Sequence, residues 1–231
     1  MARRHNPGGG TGDHSAAPVA NMAQFSLGFT MRAPALPSSG PFREVVTFAE
    51  DPGSGTQDHS VRLYPSSGTT GMVYIGSEVE TGSLAATVNT YERWLLVGDG
   101  TNLTLYRDGT ASTPVAVTTA HLGYGTPELV LGRGATGTGY AEVDVEGLAL
   151  WDAPLSSGER SDFFAGVGPA TIRTADLYDF WALISNGNGV NGNTMTFTGG
   201  SFVPGPGGAP PILSPLQTFG PSYAVNRAAN Y

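Results

Sequence analysis

The run ERWLLVGDGTNLTLYRDGTASTPVAV, residues 92–117, constrains the fold of this chain more than any other stretch. Asp99-Gly100 and Asp108-Gly109 are hairpin dipeptides, because both residue types reach positive φ at little cost. Between them Leu103 and Leu105 fall on one face of an extended segment, and Thr104 and Tyr106 on the other. The pattern predicts a three-strand antiparallel meander with one face turned to a core.

The same rhythm of short apolar alternations and turn residues runs through most of the chain. Strands are expected at 24–33, 42–49, 60–65, 70–78 and 83–90, ahead of the meander. Two more follow it, at 128–134 and at the start of YAEVDVEGLALWDAPLSSGE (140–159). Ser156-Ser157-Gly158-Glu159 fits a capping box, with Leu155 before it as a staple and Gly166 as a stop, so one short helix is predicted over 157–165. Strands return at 177–184, 194–199 and 201–203, with NGNGVNGN between the first two as a turn. With 34 glycines, 17 prolines and only 13% charged residues, the composition suits short strands and many turns better than charged surface helices. The expected class is all-β: an antiparallel two-sheet β-sandwich of jelly-roll type with one short helix. Residues 1–23 and 204–231, rich in Gly and Pro (and Ala in the first) and without periodicity, read as extended N- and C-terminal arms.

Composition also excludes chemistries. The chain has no cysteine, which removes disulfides, thiolate zinc sites and cysteine nucleophiles. Its net charge is -8 and its cations are all arginine, a poor balance for nucleic-acid binding. The N-terminus has two arginines without an apolar run behind them, so no secretory signal is expected. No stretch approaches the ~18 apolar residues of a membrane span. Synthesis in a host cytoplasm is therefore expected.

The runs FSLGFTMRAPALPSSG, ERWLLVGDGTNLTLYRDGT and LVLGRGATGTGYAEVDVEGLALWDAPLSSGE resemble, in order and spacing, the laminin-G-like, concanavalin A-like jelly-roll domain. The resemblance covers residues 24–165. DLYDFWALISNGNGVNGNTMTFTGGSFV is similar to a segment that commonly opens such domains, yet here it stands behind the domain. Residues 166–203 are thus expected to complete the sandwich or to pair with a neighbouring subunit. The arrangement resembles laminin-G-like structural proteins of bacteriophages and marine metagenomes.

The row Glu142, Asp144, Glu146 raises the question of catalysis. Concanavalin-type β-glucanases carry Glu-x-Asp-x-Glu on a strand, and by that resemblance Glu142 would be nucleophile, Glu146 acid/base and Asp144 a tuner of their charges. A retaining pair needs carboxyl groups ~5–5.5 Å apart, whereas Cα atoms four strand residues apart are separated by ~13 Å. Motif order argues the other way too: in those glucanases the acids precede the Tyr-x-Asp-Gly hairpin, which here comes first, at Tyr106–Gly109. The bland reading makes Val143, Val145, Leu148 and Leu150 the packed face, the acids the solvated alternates, and Gly147 a bulge. No enzymatic activity is expected.

Elsewhere the signals are thinner. His5, His14, His59 and His121 lack ligand spacing and read as solvated. The resemblance allows calcium, for which Glu50, Asp51 and Asp58 are the best oxygen donors, although turn chemistry explains them equally well. Trp94, Trp151 and Trp181 read as core rather than as a sugar-stacking platform. In the arms, Arg3, Arg4, Phe219, Tyr223, Arg227 and Tyr231 are residue types that anchor interfaces. A sandwich with two clinging arms and no signal suits a non-enzymatic virion protein, a phage capsid decoration or fibre-like subunit bound to capsid proteins or to itself. The alternative is a carbohydrate-binding, lectin-like adhesion module for cell-surface glycans, and the third reading is the β-glucanase.

Overall fold

The computed structural model of the chain describes residues 2–5, 14–35, 43–49, 57–64, 70–75, 84–116, 128–133, 140–183 and 186–203. In chain order the strands are β1 (Ala2–His5), β2 (His14–Pro18), β3 (Phe25–Arg32), β4 (Arg43–Ala49), β5 (Gln57–Tyr64), β6 (Thr70–Ile75), β7 (Leu84–Ala85) and β8 (Glu92–Gly98). They continue with β9 (Asn102–Arg107), β10 (Thr110–Ala111), β11 (Val115–Ala116), β12 (Glu128–Leu131) and β13 (Val143–Trp151). After the helix α1 (Ser157–Ala165) come β14 (Leu177–Trp181), β15 (Thr196–Thr198) and β16 (Ser201–Val203). A nine-stranded sheet runs β10-β9-β8-β3-β13-β1-β16, with β11 beside β9 and β14 beside β13; a seven-stranded sheet runs β15-β2-β12-β4-β5-β6-β7. The chain is an antiparallel β-sandwich of jelly-roll type.

The meander forms as the Asp-Gly pairs require. Gly100 (φ 92), Asp108 (φ 46) and Gly109 (φ 86) take the left-handed conformation at the two turns. The Asp99 carboxylate accepts the backbone N–H groups of Thr101 and Asn102 at 2.9 and 2.7 Å, closing the first turn. Alternation in β3 does what period two dictates: Phe25, Leu27, Phe29 and Met31 enter the core between the sheets, with Trp94, Phe48 and Leu131. Each such large apolar side chain, buried from water, contributes about 1.5–3 kcal/mol. The expected strand at 83–90 is reduced to Leu84–Ala85.

The helix matches its sequence signals. Ser156 accepts the backbone N–H of Glu159, whose own carboxylate accepts that of Ser156 at 2.7 Å, and Gly166 ends the helix at φ 89. Its Phe163 packs with Leu95, Trp151, Leu155, Ile172 and Phe180 in a second apolar cluster, on the outer face of the nine-stranded sheet. Gly28 makes room for it: a Cβ there would stand 2.8 Å from the Phe163 ring.

The expected N-terminal arm over residues 1–23 is corrected. β1 lies between β13 and β16, and β2 between β12 and β15, so this segment supplies one strand to each sheet of its own chain. ARRH and HSAAP carry too little apolar alternation to announce strands; backbone pairing on both sides makes them so. Residues 166–203 pair within the chain as well, β14 with β13, β15 with β2 and β16 with β1. The C-terminal arm, 204–231, lies outside the described residues.

β13 has two partners end to end along one edge. β1 pairs with Val143, Asp144 and Val145, and β14 with Leu148 to Trp151. Gly147 sits at the junction with φ 63, its N–H donating to the Ala182 carbonyl, and the register against β3 slips there. The bulge expected at Gly147 is present and lets two short strands share one long neighbour.

Candidate functional site

The acidic row lies on the outward side of β13, beyond the half of the sheet that α1 covers. Val143, Val145, Leu148 and Leu150 face the interlayer core, as alternation requires. The expectation that all three acids are solvated fails at Asp144, which is fully buried (0% exposed). The reason is in the register: Arg4 of β1 and Arg32 of β3 are its lateral neighbours across the sheet. Arg4 donates from Nε to Oδ1 at 2.7 Å and from Nη2 to Oδ2 at 3.0 Å. Arg32 donates from Nε at 2.9 Å, and from Nη2, to Oδ2. Burial alone would raise the Asp144 carboxyl, but the hydrogen bonds from the two guanidiniums outweigh it and hold it below the ordinary carboxylate range. The Arg4 guanidinium is shifted upward by the same bond.

Around this charged ladder the surface is mixed. The Arg32 guanidinium lies 5.2 Å from the centre of the Tyr91 ring, a cation–π contact. Glu142, just before β13, and Glu146 within it are half-buried on either side of Asp144 in sequence. Burial pushes the Glu146 carboxyl up, and Glu142 makes no hydrogen bond or ion pair among the described residues. In the adjoining row, Thr30 stands between Glu146 and Arg93, its partners across β13 and β8. Its side chain points to the same face as Arg32, its Oγ1 has no hydrogen-bond partner, and the residue is only 5% exposed. Arg93 reaches towards the helix and donates to the Phe164 carbonyl at 2.9 Å.

Asp144, the acid that would tune its neighbours in a glycosidase, is neutralised by two guanidiniums, and the two glutamates lie four residues apart, about 13 Å at Cα in extended backbone. What the face offers is recognition: guanidinium donors held in place by a buried carboxylate, a half-buried tyrosine, and carboxylate acceptors.

The other sequence candidates are placed as follows. Arg3 and Arg4, expected at a partner interface, make their contacts inside the chain. Arg3 points between the sheets, is 4% exposed, donates to the Gly199 carbonyl and lies 4.4 Å over the Phe197 ring. His5, expected to be solvated, is fully buried against Gly132, because β1 is an inner strand; His14 is half-buried. Trp94, Trp151 and Trp181 are core residues, the last two donating from Nε1 to the Ile172 and Asn193 carbonyls at 2.8 and 3.0 Å. Glu50, Asp51, His121, Phe219, Tyr223, Arg227 and Tyr231 lie outside the described residues, as do the side chains of Asp58 and His59 on β5. Among the described residues no group of three or more His, Asp or Glu side chains is placed to hold a metal ion. Arg32, Tyr91 and Thr30 were missed, and Arg4 was assigned to a partner interface rather than to this face. Arg32 and Thr30 share the outward parity of β3 and were open to detection, whereas Arg4 reaches the site only through the pairing of β1 with β13.

The chain is similar in fold to a protein of Bacteroides ovatus proposed to bind carbohydrate, at 12% identity and a TM-score of 0.64 over 87% of this chain; it spans 58% of that protein's length. It is also similar to the heptameric pentraxin of Limulus polyphemus, at 12% identity and a TM-score of 0.52 over 68% of this chain and 77% of that one. Among curated protein sequences nothing matches. Residues 9–159 match the family model described as the concanavalin A-like lectin/glucanases superfamily, and this chain belongs to that superfamily.

Proposed function

We propose that the chain is a carbohydrate-binding, lectin-like module without catalytic activity. The superfamily holds both lectins and glucanases, and one observation favours the first: Asp144, the middle of the row a glucanase would use, is buried and bound by Arg4 and Arg32. A carboxylate so held neither charges its neighbours nor reaches a substrate. The face around it is built of side chains that bind hydroxyl groups. A glycan array and reducing-sugar release, run on the same preparation, test the reading. Glycan binding without release of sugar ends from β-glucans supports it, whereas no binding, or release that Glu142→Gln and Glu146→Gln abolish, overturns it.

The virion role is the second reading, and its motive is now narrower. The N-terminal segment is absorbed in the sandwich, which leaves residues 204–231 and their Phe219, Tyr223, Arg227 and Tyr231 as the candidates for binding a capsid or a second copy of the chain. Deleting 204–231 should then abolish association with particles and leave a folded domain; unchanged association would count against this role. Under this reading both functions coexist, with the sandwich exposed for glycans.

A further inference from the structure

The charged face around Asp144 carries more than the absence of catalysis. We propose that it is the glycan site itself and that it takes uncharged glycans through neighbouring hydroxyl groups, with Arg4 and Arg32 as donors and Glu142 as acceptor. The proposal rests on the lectin reading and adds to it a location and a ligand class.

Three features of the face support it. The first is preorganisation. Arg4 and Arg32 each place two hydrogen bonds on Asp144 and so keep roughly three of the five guanidinium donors. Their side chains are 28% and 26% exposed, so the remaining donors reach the surface while the buried carboxylate fixes their direction. Arg32 is held further by the Tyr91 ring.

The second feature is the pairing of fixed donors with an unengaged acceptor. Glu142 lies two residues from Asp144, just ahead of β13, close enough to Arg4 to stabilise its charge, and makes no hydrogen bond or ion pair among the described residues. Two adjacent hydroxyls suit that pair, since each both donates and accepts: one gives its proton to the carboxylate and the other takes an N–H from the guanidinium. Thr30 Oγ1 adds an independent sign of a ligand. It is a buried hydroxyl without a partner, in the row next to Arg32 and beside Glu146, and leaving such a group unsatisfied costs about 1–3 kcal/mol.

The third feature is charge. Arg4 and Arg32 are engaged by Asp144, and Arg93 in the adjoining row is turned to the Phe164 carbonyl, while Glu142 stands beside them without a bond among the described residues, on a chain of net charge -8. Carboxylated, sulfated or sialylated sugars meet repulsion from Glu142 at close range and from the whole protein at long range. Uncharged sugars meet none, and gain charge-assisted hydrogen bonds from both sides.

The test uses the full chain against two probe sets, uncharged gluco-, manno- and galacto-oligosaccharides and their sialylated or uronic-acid counterparts, followed by calorimetric titration of the best ligand. An uncharged oligosaccharide should bind best. Glu142→Gln should weaken it roughly tenfold or more, the loss of one charge-assisted hydrogen bond. Thr30→Val should weaken binding while leaving the melting temperature unchanged or higher, an outcome that a purely structural role for the hydroxyl does not give. Preference for anionic glycans, or binding unaffected by both substitutions, overturns the proposal and leaves the lectin reading standing. Binding of neither probe set overturns the lectin reading and the proposal with it.

Discussion

Arg4, on the first strand, grips Asp144, on the thirteenth, through two parallel hydrogen bonds of 2.7 and 3.0 Å, so the start of the chain is fastened to the strand that closes the family domain. The pair does two jobs at once. It removes Asp144 from chemistry, and it ties β1 to the sheet beyond what three backbone pairings supply.

The Asp144 carboxyl lies lower in the folded chain than the unfolded value of about 3.9, so its ionisation stabilises the fold above that pH and the contribution disappears as pH falls through the depressed folded value. Asp144→Asn should therefore flatten the acid limb of a stability-versus-pH curve as well as lower stability at neutral pH. Removing the carboxylate altogether, in Asp144→Ala, leaves two facing guanidiniums; because each is about a quarter exposed, the cost is put at about 2–3 kcal/mol, below the fully buried case. Urea denaturation between pH 2.5 and 7 measures both, and a mutant curve parallel to the wild type would contradict the assignment.

Deleting residues 1–18 should unfold or aggregate the protein rather than release it from a partner. The deletion takes β1 and β2 out of their sheets and bares the edges of β13 and β12, along with those of β15 and β16. Far-UV circular dichroism and sedimentation velocity report the outcome; a monomeric, fully folded deletion would mean that the N-terminal pairing contributes little.

What was legible follows from which forces act locally. Asp99-Gly100, Asp108-Gly109 and the Ser156–Glu159 box encode their own conformations through φ preference and short-range hydrogen bonds, and all appear as expected. The Val143–Leu150 face and the Gly147 bulge follow from parity alone. The strands Ala2–His5 and His14–Pro18 were illegible because their ladder partners stand more than a hundred residues away. The same distance hid the site: Asp144 has the outward parity of a solvated acid, and only the register brings Arg4 and Arg32 against it.

Gly28→Ala should loosen the helix without disturbing the interlayer core. The added methyl would stand 2.8 Å from the Phe163 ring and 3.3 Å from the Trp151 indole, on the face where α1 docks. Overpacking of this kind typically costs about 1–3 kcal/mol. Hydrogen exchange should accelerate in Ser157–Ala165 more than in β3 or β13, and equal protection throughout would show that the helix yields without cost.

Asp179→Asn should release the Asn-Gly loop. The Asp179 carboxylate is fully buried and accepts three backbone N–H groups, from Phe180 at 2.7 Å, Asn191 at 3.0 Å and Asn193 at 2.9 Å. It draws the chain so close that there is no room for a side chain at Gly189, and Asn193 in turn accepts the indole N–H of Trp181 at 3.0 Å. An amide keeps one acceptor oxygen but turns an NH2 towards a donor, which strands backbone N–H groups at about 1–3 kcal/mol. The loss should appear in urea denaturation, with faster exchange of the Asn191 and Asn193 amides and a change in Trp181 fluorescence. An unchanged exchange pattern would place the loop's order in its glycine turns and in the Met195 N–H bond to the Gly187 carbonyl rather than in the carboxylate.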